Sequence, residues 1–421
     1  MWAAGLTSGL QFVPEPLLAM HQIADPKPAA VERVSFSGER PAFRRLVMRG
    51  AGLELVTFGF YRFWLATDIR RHLWSHTAVG GDPAEYTGRP RELLIGFLIA
   101  MAILVPVYLV YFLIGLEAER LQAFASIPLL LFFFLFSEFA RYRARRYRLT
   151  RTVWRGLRFS MGGSGWSYSW RSALWWLPVI LAVGLALPWR LAALERFKMR
   201  HAAYGSLQGR FDGTGGGLFR KTWWVWLSAV LVLAILLGTP ALAPPTSRAN
   251  IVLWLILSGT ALLLSPFIYA AFKAIEWRWW VSGIRFGDVR FGSRLETGAL
   301  VGRYWASIGW FMLLLLLFSL WIGWVYWIVS QLFAIDGPGE QRMLAALQHP
   351  AFMVSGGVGY LLVAVAIGAV VRLYLNRDVW ARVAQSALVY NLAAADDVSG
   401  QGEAAGAVGE GFADSLDIAG F

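Results

Sequence analysis

Long apolar runs alternate with short basic segments along nearly the whole chain. Six runs approach the ~20 residues a helix needs to cross a bilayer: residues 93–116, 123–140, 222–239, 251–272, 304–332 and 352–371. Two further runs are poorer. Residues 46–66, LVMRGAGLELVTFGFYRFWLA, carry Arg49, Glu54 and Arg62. Residues 173–189, ALWWLPVILAVGLALPW, are short and broken by Pro178, Gly184 and Pro188.

Lys and Arg orient such runs, because they stay on the cytoplasmic side. Segments 67–92, 141–172, 191–221 and 273–303 hold 4, 9, 6 and 6 basic residues, and 117–122, 240–250 and 333–350 hold one each. Eight full crossings would leave residues 191–221 outside. If the two poor runs enter and return, every basic segment stays inside, and both runs carry Gly or Pro where such a chain turns. Backbone of that kind is tolerated at depth when protein buries it or water lines it. The expected fold class is an α-helical polytopic membrane protein. It has about six full transmembrane helices, two re-entrant or interfacial segments, and short cytoplasmic β-hairpins from internal repeats.

The repeats are the basic segments themselves. Residues 70–88, 145–163, 198–215 and 278–293 each run from a basic-aromatic helix end through β-branched, aromatic and Gly residues into a new apolar run. A lone opening half, VSFSGERPAF, lies at 34–43, and a lone closing half, LNRDVWARVAQSALVY, at 375–390. This settles RFDGTGGGLFRKT (210–222), which resembles a phosphate loop. The Gly required before Lys221 is Arg220, and what precedes the stretch, LERFKMRHAAYGSLQGRF, is basic and polar. The glycines belong to a joint shared with FSG (36–38) and YTG (86–88). A longer period gives the expected division: an extension over 1–33, membrane repeats over 34–158 and 159–290, a third section over 291–391 and an acidic Gly/Ala-rich tail over 392–421. The opening MWAAGLTSGLQFVPEP has no basic n-region or cleavage site, so it reads as no signal peptide.

Composition agrees with a membrane protein. The 421 residues are 57% hydrophobic and 15% charged, with 22 Trp, and carry a net charge of +13. Trp favours the membrane–water interface, and a basic balance of this kind fits loops that face anionic lipid. There is no Cys, which excludes disulfides, thiolate catalysis and Cys-ligated metal.

Glu54, Thr57 and Tyr61 are spaced to share a helical face, and an ionisable residue at membrane depth is a functional candidate. Trp64, Pro188 and Trp189 complete the candidate membrane site. The plainer reading has Glu54 at the interface, neutralised by Arg49 or Arg62. Asp68, Glu138, Glu195 and Glu276 precede the basic clusters at helix ends and read as interface trimming. In RYRARRYRLTRTVWR, residues Arg141, Arg143, Arg145, Arg146 and Arg148 are expected to contact anionic lipid headgroups rather than nucleic acid. His72 and His76 lie one turn apart, but the Glu of a zinc motif is replaced by Leu73 and no third ligand is near. No cofactor, metal or catalytic motif is expected.

Three blocks carry a family resemblance: TFGFYRFWLATDIRRHLW (57–74), GLALPWRLAALERFKMRHAAYGSLQGRFDGTG (184–215) and EGFADSLDIAGF (410–421). They resemble the YjgN-like family of bacterial inner-membrane proteins, whose domain is of unknown function. The resemblance covers nearly all of 34–421. It implies a location and a multi-pass architecture, and no activity. Glu54 departs from the family's pattern, where Asn or a similar polar residue is expected. The expected function is transporter-like or lipid-handling, with a site near the re-entrant segments and both termini cytoplasmic. The alternative is a non-enzymatic scaffold or regulator that presents hairpins and tail to a protein partner or a second copy.

Overall fold

The structure, a computed structural model, describes residues 31–120, 126–242, 247–335 and 337–400. The chain repeats one motif, a strand, a pair of helices and a returning strand. The first unit is β1 (Val31–Phe36), α1 (Arg40–Val56), α2 (Arg62–Ser75) and β2 (Thr77–Val79). The second is β3 (Asp82–Tyr86), α3 (Pro90–Arg120), α4 (Ser126–Thr150) and β4 (Thr152–Trp154). The third is β5 (Leu157–Met161), α5 (Gly165–Leu181), α6 (Leu187–Arg200) and β6 (Ala202–Tyr204). The fourth is β7 (Leu207–Phe211), α7 (Gly215–Leu242), α8 (Arg248–Gly283) and β8 (Ile284–Phe286). The fifth is longer: β9 (Val289–Ser293), α9 (Val301–Leu332), α10 (Gly339–Gln348), α11 (Pro350–Val370), a π-helical stretch (Val371–Arg377), α12 (Asp378–Ser386) and β10 (Ala387–Tyr390).

The ten strands close into one antiparallel barrel in chain order. This corrects the expected fold class, because the hairpins are not separate appendages of a helical protein. The physical reason is the edge: an isolated hairpin leaves a row of unpaired N–H and C=O groups on each side, and closure removes both rows. The two lone half-hairpins supply the last seam. Val31 pairs with Tyr390, Glu32 with Val389 and Arg33 with Leu388.

The helix count also changes. Among the described residues, five helices are long and apolar enough to cross a membrane: Pro90–Ile114, Gly215–Gly238, Arg248–Gly283, Val301–Leu332 and Pro350–Ser386. Their apolar windows are only 6–17% buried within the chain, so lipid must cover them. The expected span at 123–140 begins in residues that are not described and continues as α4, which turns basic from Arg141 onward. The two poor runs are helical hairpins, α1–α2 and α5–α6, not irregular re-entrant chain.

Every helical pair leaves the barrel from one rim, and the tight β-turns lie at the other end. Val34, Phe36, Trp154, Tyr204, Val289 and Val389 belong to the core that fills the barrel. Asn391 turns with φ 58° and starts a 3-10 turn, Leu392–Ala395. Leu392 and Ala395 join the same core, and Asp396 meets Arg155 at 2.5 Å. The start of the acidic tail is therefore packed against the barrel. Residues 401–421, the rest of the acidic tail with the third signature block, lie outside the described residues.

The glycine joints have a packing role. A Cβ on Gly38, Gly88 or Gly213 would lie 2.6, 2.6 or 2.5 Å from the ring two residues earlier, of Phe36, Tyr86 and Phe211. Gly213 is not among the positive-φ residues, so a close approach demands glycine there, not a left-handed backbone. Lys221 sits exposed in α7 beyond this joint. Gly213→Val is expected to cut the yield of folded protein severalfold by displacing Phe211 from Trp279, its neighbour at 5.0 Å. Lys221→Ala is expected to match wild type in monodisperse yield. A loss in the Lys221 variant instead would restore a phosphate role.

Candidate functional site

The two short hairpins turn in the same way. Phe58 and Gly59 have φ of 50° and 88°, and Val183 and Gly184 have 48° and 83°. The Gly59 and Gly184 amides each donate to a carbonyl five residues back, Glu54 and Val179, at 2.7 Å. This is the Schellman closure of a helix end. A non-Gly residue in the left-handed region costs on the order of 1–2 kcal/mol, which both turns spend on an apolar side chain at the tip. Val56, Phe58 and Phe60 are 76%, 80% and 54% exposed, and Ile180, Leu181 and Val183 are 68%, 84% and 66% exposed.

Length sets how far each hairpin reaches. At ~1.5 Å per residue, α1 rises about 25 Å and α3 about 46 Å from the same rim. The dense basic clusters on the helices lie within roughly 15 Å of the rim: Arg40 to Arg49 on α1, Arg141 to Arg148 on α4, Lys273 to Arg278 on α8, with a second charged level at the far ends of α3 and α8. An apolar layer beginning at that level is crossed by the long hairpins. The short tips reach about 10 Å into it, a third of a ~30 Å hydrocarbon core.

A buried ion pair stands near the boundary in each case. Glu54 is 4% exposed, and both its oxygens accept from Arg372, at 2.7 and 2.7 Å. Arg372 enters from the π-helical stretch; such turns often mark functional positions. The Arg62 guanidinium lies over the rings of Phe63 and Phe97, 4.9 and 4.6 Å from their centroids. Thr57 caps the end of α1, its amide still bonded to the Leu53 carbonyl, and the turn at Phe58 and Gly59 separates it from Tyr61. Its hydroxyl donates to the Leu53 carbonyl at 2.7 Å and accepts from the Tyr61 amide at 2.9 Å. Tyr61 stacks on Trp64 at 6.2 Å.

In the other short hairpin the acid comes from a neighbour. Arg190 donates to Ser172 at 2.6 Å and to Glu138 of α4 at 3.4 Å, and Arg141 reaches the same oxygen at 2.7 Å. Pro188 is buried at the start of α6. Trp189 is 40% exposed, lies 5.3 Å from Phe219 and closes on Gly215 of α7. The expected site residues thus form two groups. Glu54, Thr57, Tyr61 and Trp64 are on a hairpin packed against α11 and α3, while Pro188 and Trp189 are on one packed against α4 and α7.

The arginine cluster divides. Arg141 is exposed, and Arg143, Arg146 and Arg148 are half-buried. Arg145 turns inward to Glu195 at 3.0 Å, where Lys198 and the Trp280 indole, at 3.0 Å, also donate. Burial pushes the Glu195 carboxyl up, but Lys198, Arg145 and the Trp280 hydrogen bond outweigh it and hold the group at about 2. Glu138 and Glu195 therefore tie neighbouring hairpins together, which is more than trimming a helix end. Arg372 and Arg190 were the partners that sequence reasoning missed. The available signal was each one's place, a lone charge at the edge of an apolar run.

The His72 and His76 rings lie 4.2 Å apart, tilted by 32°; among the described residues no cluster of three His, Asp or Glu could hold a metal. Two open clefts lie away from the hairpin tips. One of about 580 Å³ is lined by Glu296, Arg303 and Arg382. One of about 800 Å³ is lined by Arg196, Arg200 and Arg210.

Five membrane-length helices rooted on a closed barrel make this a multi-pass membrane protein. The chain belongs to the family described as bacterial protein of unknown function (DUF898), which it matches over residues 31–415. That is the YjgN-like family its three signature blocks resemble. No curated protein and no solved structure matches the chain.

Proposed function

We propose that the protein is a lipid-handling protein of the bacterial inner membrane, and that its two short hairpins disturb one leaflet to ease phospholipid movement. The supporting observation is the pair of apolar tips that stop about 25 Å from the rim while neighbouring hairpins continue to about 46 Å. A hairpin too short for the bilayer is accommodated by local thinning. Thinning shortens the path of a headgroup through hydrocarbon. The pairs Glu54–Arg372 and Glu138–Arg190 sit where that path begins and offer polar groups along it. The basic segments surround the barrel end of the helices, which favours a cytoplasmic barrel. The antiparallel seam of β1 and β10 sends residues 31 and 390 to the same barrel end, consistent with both termini on that side and with internal repeats as the origin of the units.

The test is lipid movement in vesicles that hold fluorescent phosphatidylglycerol, read by dithionite quenching of the outer leaflet. Wild type is expected to raise the rate at least about tenfold over protein-free vesicles, a ~1.4 kcal/mol lower barrier. Phe58→Asp combined with Leu181→Asp should return it toward the protein-free rate. Phe333→Asp, at the tip of a long hairpin, should not. A wild-type rate equal to that of empty vesicles overturns the proposal. The filled barrel interior favours a second reading, a non-enzymatic scaffold or regulator, and that reading predicts the empty-vesicle result.

A further inference from the structure

We propose that Arg62 holds the phosphate of an anionic phospholipid at the tip of the first short hairpin. The inference rests on the reading that this tip enters the leaflet. Arg62 feels two charged groups, Glu54 and Arg372. Glu54 spends both oxygens on Arg372, so the group of three carries one excess positive charge. A guanidinium keeps its proton in any protein setting, and an uncompensated charge beside hydrocarbon is expensive.

Three helices place this group at the same height. Counted from their rim ends, Glu54 on α1, Arg62 on α2 and Arg372 before α12 each stand about 20 Å out. That is some 5 Å beyond the basic clusters of α1, α4 and α8, and close to the height of Glu138 on α4. No acid among the described residues bonds to Arg62, so none of them compensates its charge, and an anion from the surroundings can. Both aromatic contacts lie on one side of the guanidinium, since the Phe63 and Phe97 rings are themselves 5.3 Å apart, and no hydrogen bond to the described residues uses its N–H donors, the set that grips a phosphate bidentately. Tyr61 and Trp64 stand beside it with polar tips on apolar rings, the chemistry of a headgroup boundary. The exposed Val56, Phe58 and Phe60 adjoin it and suit acyl chains. A lipid satisfies both halves of this surface, and inorganic phosphate satisfies only one. The site is single: in the second short hairpin, the residue three past Gly184 is Leu187, where Arg62 is three past Gly59.

The experiment uses full-length protein in detergent and native mass spectrometry with added palmitoyl-oleoyl phosphatidylglycerol. Wild type should retain one lipid through delipidating washes. Arg62→Gln should weaken that retention about tenfold or more. Arg220→Gln, which removes an exposed charge from α7, should leave it unchanged. Retention by Arg62→Gln equal to wild type overturns the inference. So does displacement of the lipid by millimolar inorganic phosphate, which would mark a free-anion site. The wild-type protein gives an independent reading: it should keep phosphatidylglycerol over phosphatidylcholine, whose choline cancels the phosphate charge. Equal retention of both contradicts the inference. If Arg62→Gln binds normally while the tip lies in the leaflet, only this inference fails. If the tip lies in water, the proposed function fails first.

Discussion

Arg372→Met is expected to destabilise the protein by about 3–5 kcal/mol, the cost of leaving a buried charge without its partner. Glu54 is 4% exposed, and Arg372 is its bidentate partner. The nearest remaining cation, Arg62, is occupied by aromatic faces. Removal of the acid as well should restore most of the loss, since a buried pair can be exchanged for apolar residues at little cost. The double variant Glu54→Leu, Arg372→Met should therefore be more stable than the single. Denaturant unfolding in detergent, followed by Trp fluorescence, reads the difference. Equal stabilities of single variant and wild type would mean that Glu54 is hydrated and that the hairpin is not docked on α11 as described.

Trp154→Ala should cost about 3–5 kcal/mol, the usual range for truncating a buried Trp. Trp154 is 7% exposed in β4 and belongs to the barrel core. Its indole donates to the Asp82 carbonyl at 3.2 Å, and its own carbonyl accepts from Tyr204 at 3.0 Å. The Tyr204 ring lies 5.5 Å away, and the Arg155 guanidinium sits 4.5 Å over the indole. Loss of the ring leaves a void where β3, β4 and β6 meet. Trp223→Ala, at a 52% exposed position on α7, should change stability by less than about 1 kcal/mol. Similar shifts for the two would show that the barrel is not a packed core.

The sequence carries these elements unevenly, and the reason is range. A membrane helix announces itself locally, so the runs at 93–116, 222–239, 251–272, 304–332 and 352–371 each match a spanning helix, two of them overrunning its end by one or two residues. Gly184 was also legible as a break in its poor run, while Gly59 was not singled out in the other, and the flanking chain is helical to within a few residues of each. Strands of three to six residues give too few alternations for a period-2 signal. The seam between β1 and β10 joins Val31 to Tyr390, a distance over which hydropathy says nothing. Glu54 shows the same limit. Its charge marked it, and Arg49 and Arg62 were the neighbours a local reading could offer. The partner, Arg372, is 318 positions away. Pro178 misled in another way, since it lies inside α5 rather than at the break.

The central claim is that the two short hairpins end within one leaflet, and the depth of their tips tests it most directly. The chain has no cysteine, so Phe58→Cys and Val183→Cys each give a single labelling site without further substitution. A nitroxide at either position, in protein reconstituted into bilayers, should collide more with oxygen than with a water-soluble nickel chelate. Its depth should fall about 10 Å inside the apolar boundary, the length by which a 25 Å helix passes the charged ring. A nitroxide at Ser206, in the β6–β7 turn at the far end of the barrel, should show the reverse preference. Equal exposure of the Phe58 and Ser206 labels to the nickel chelate would place the tips in water and contradict the account.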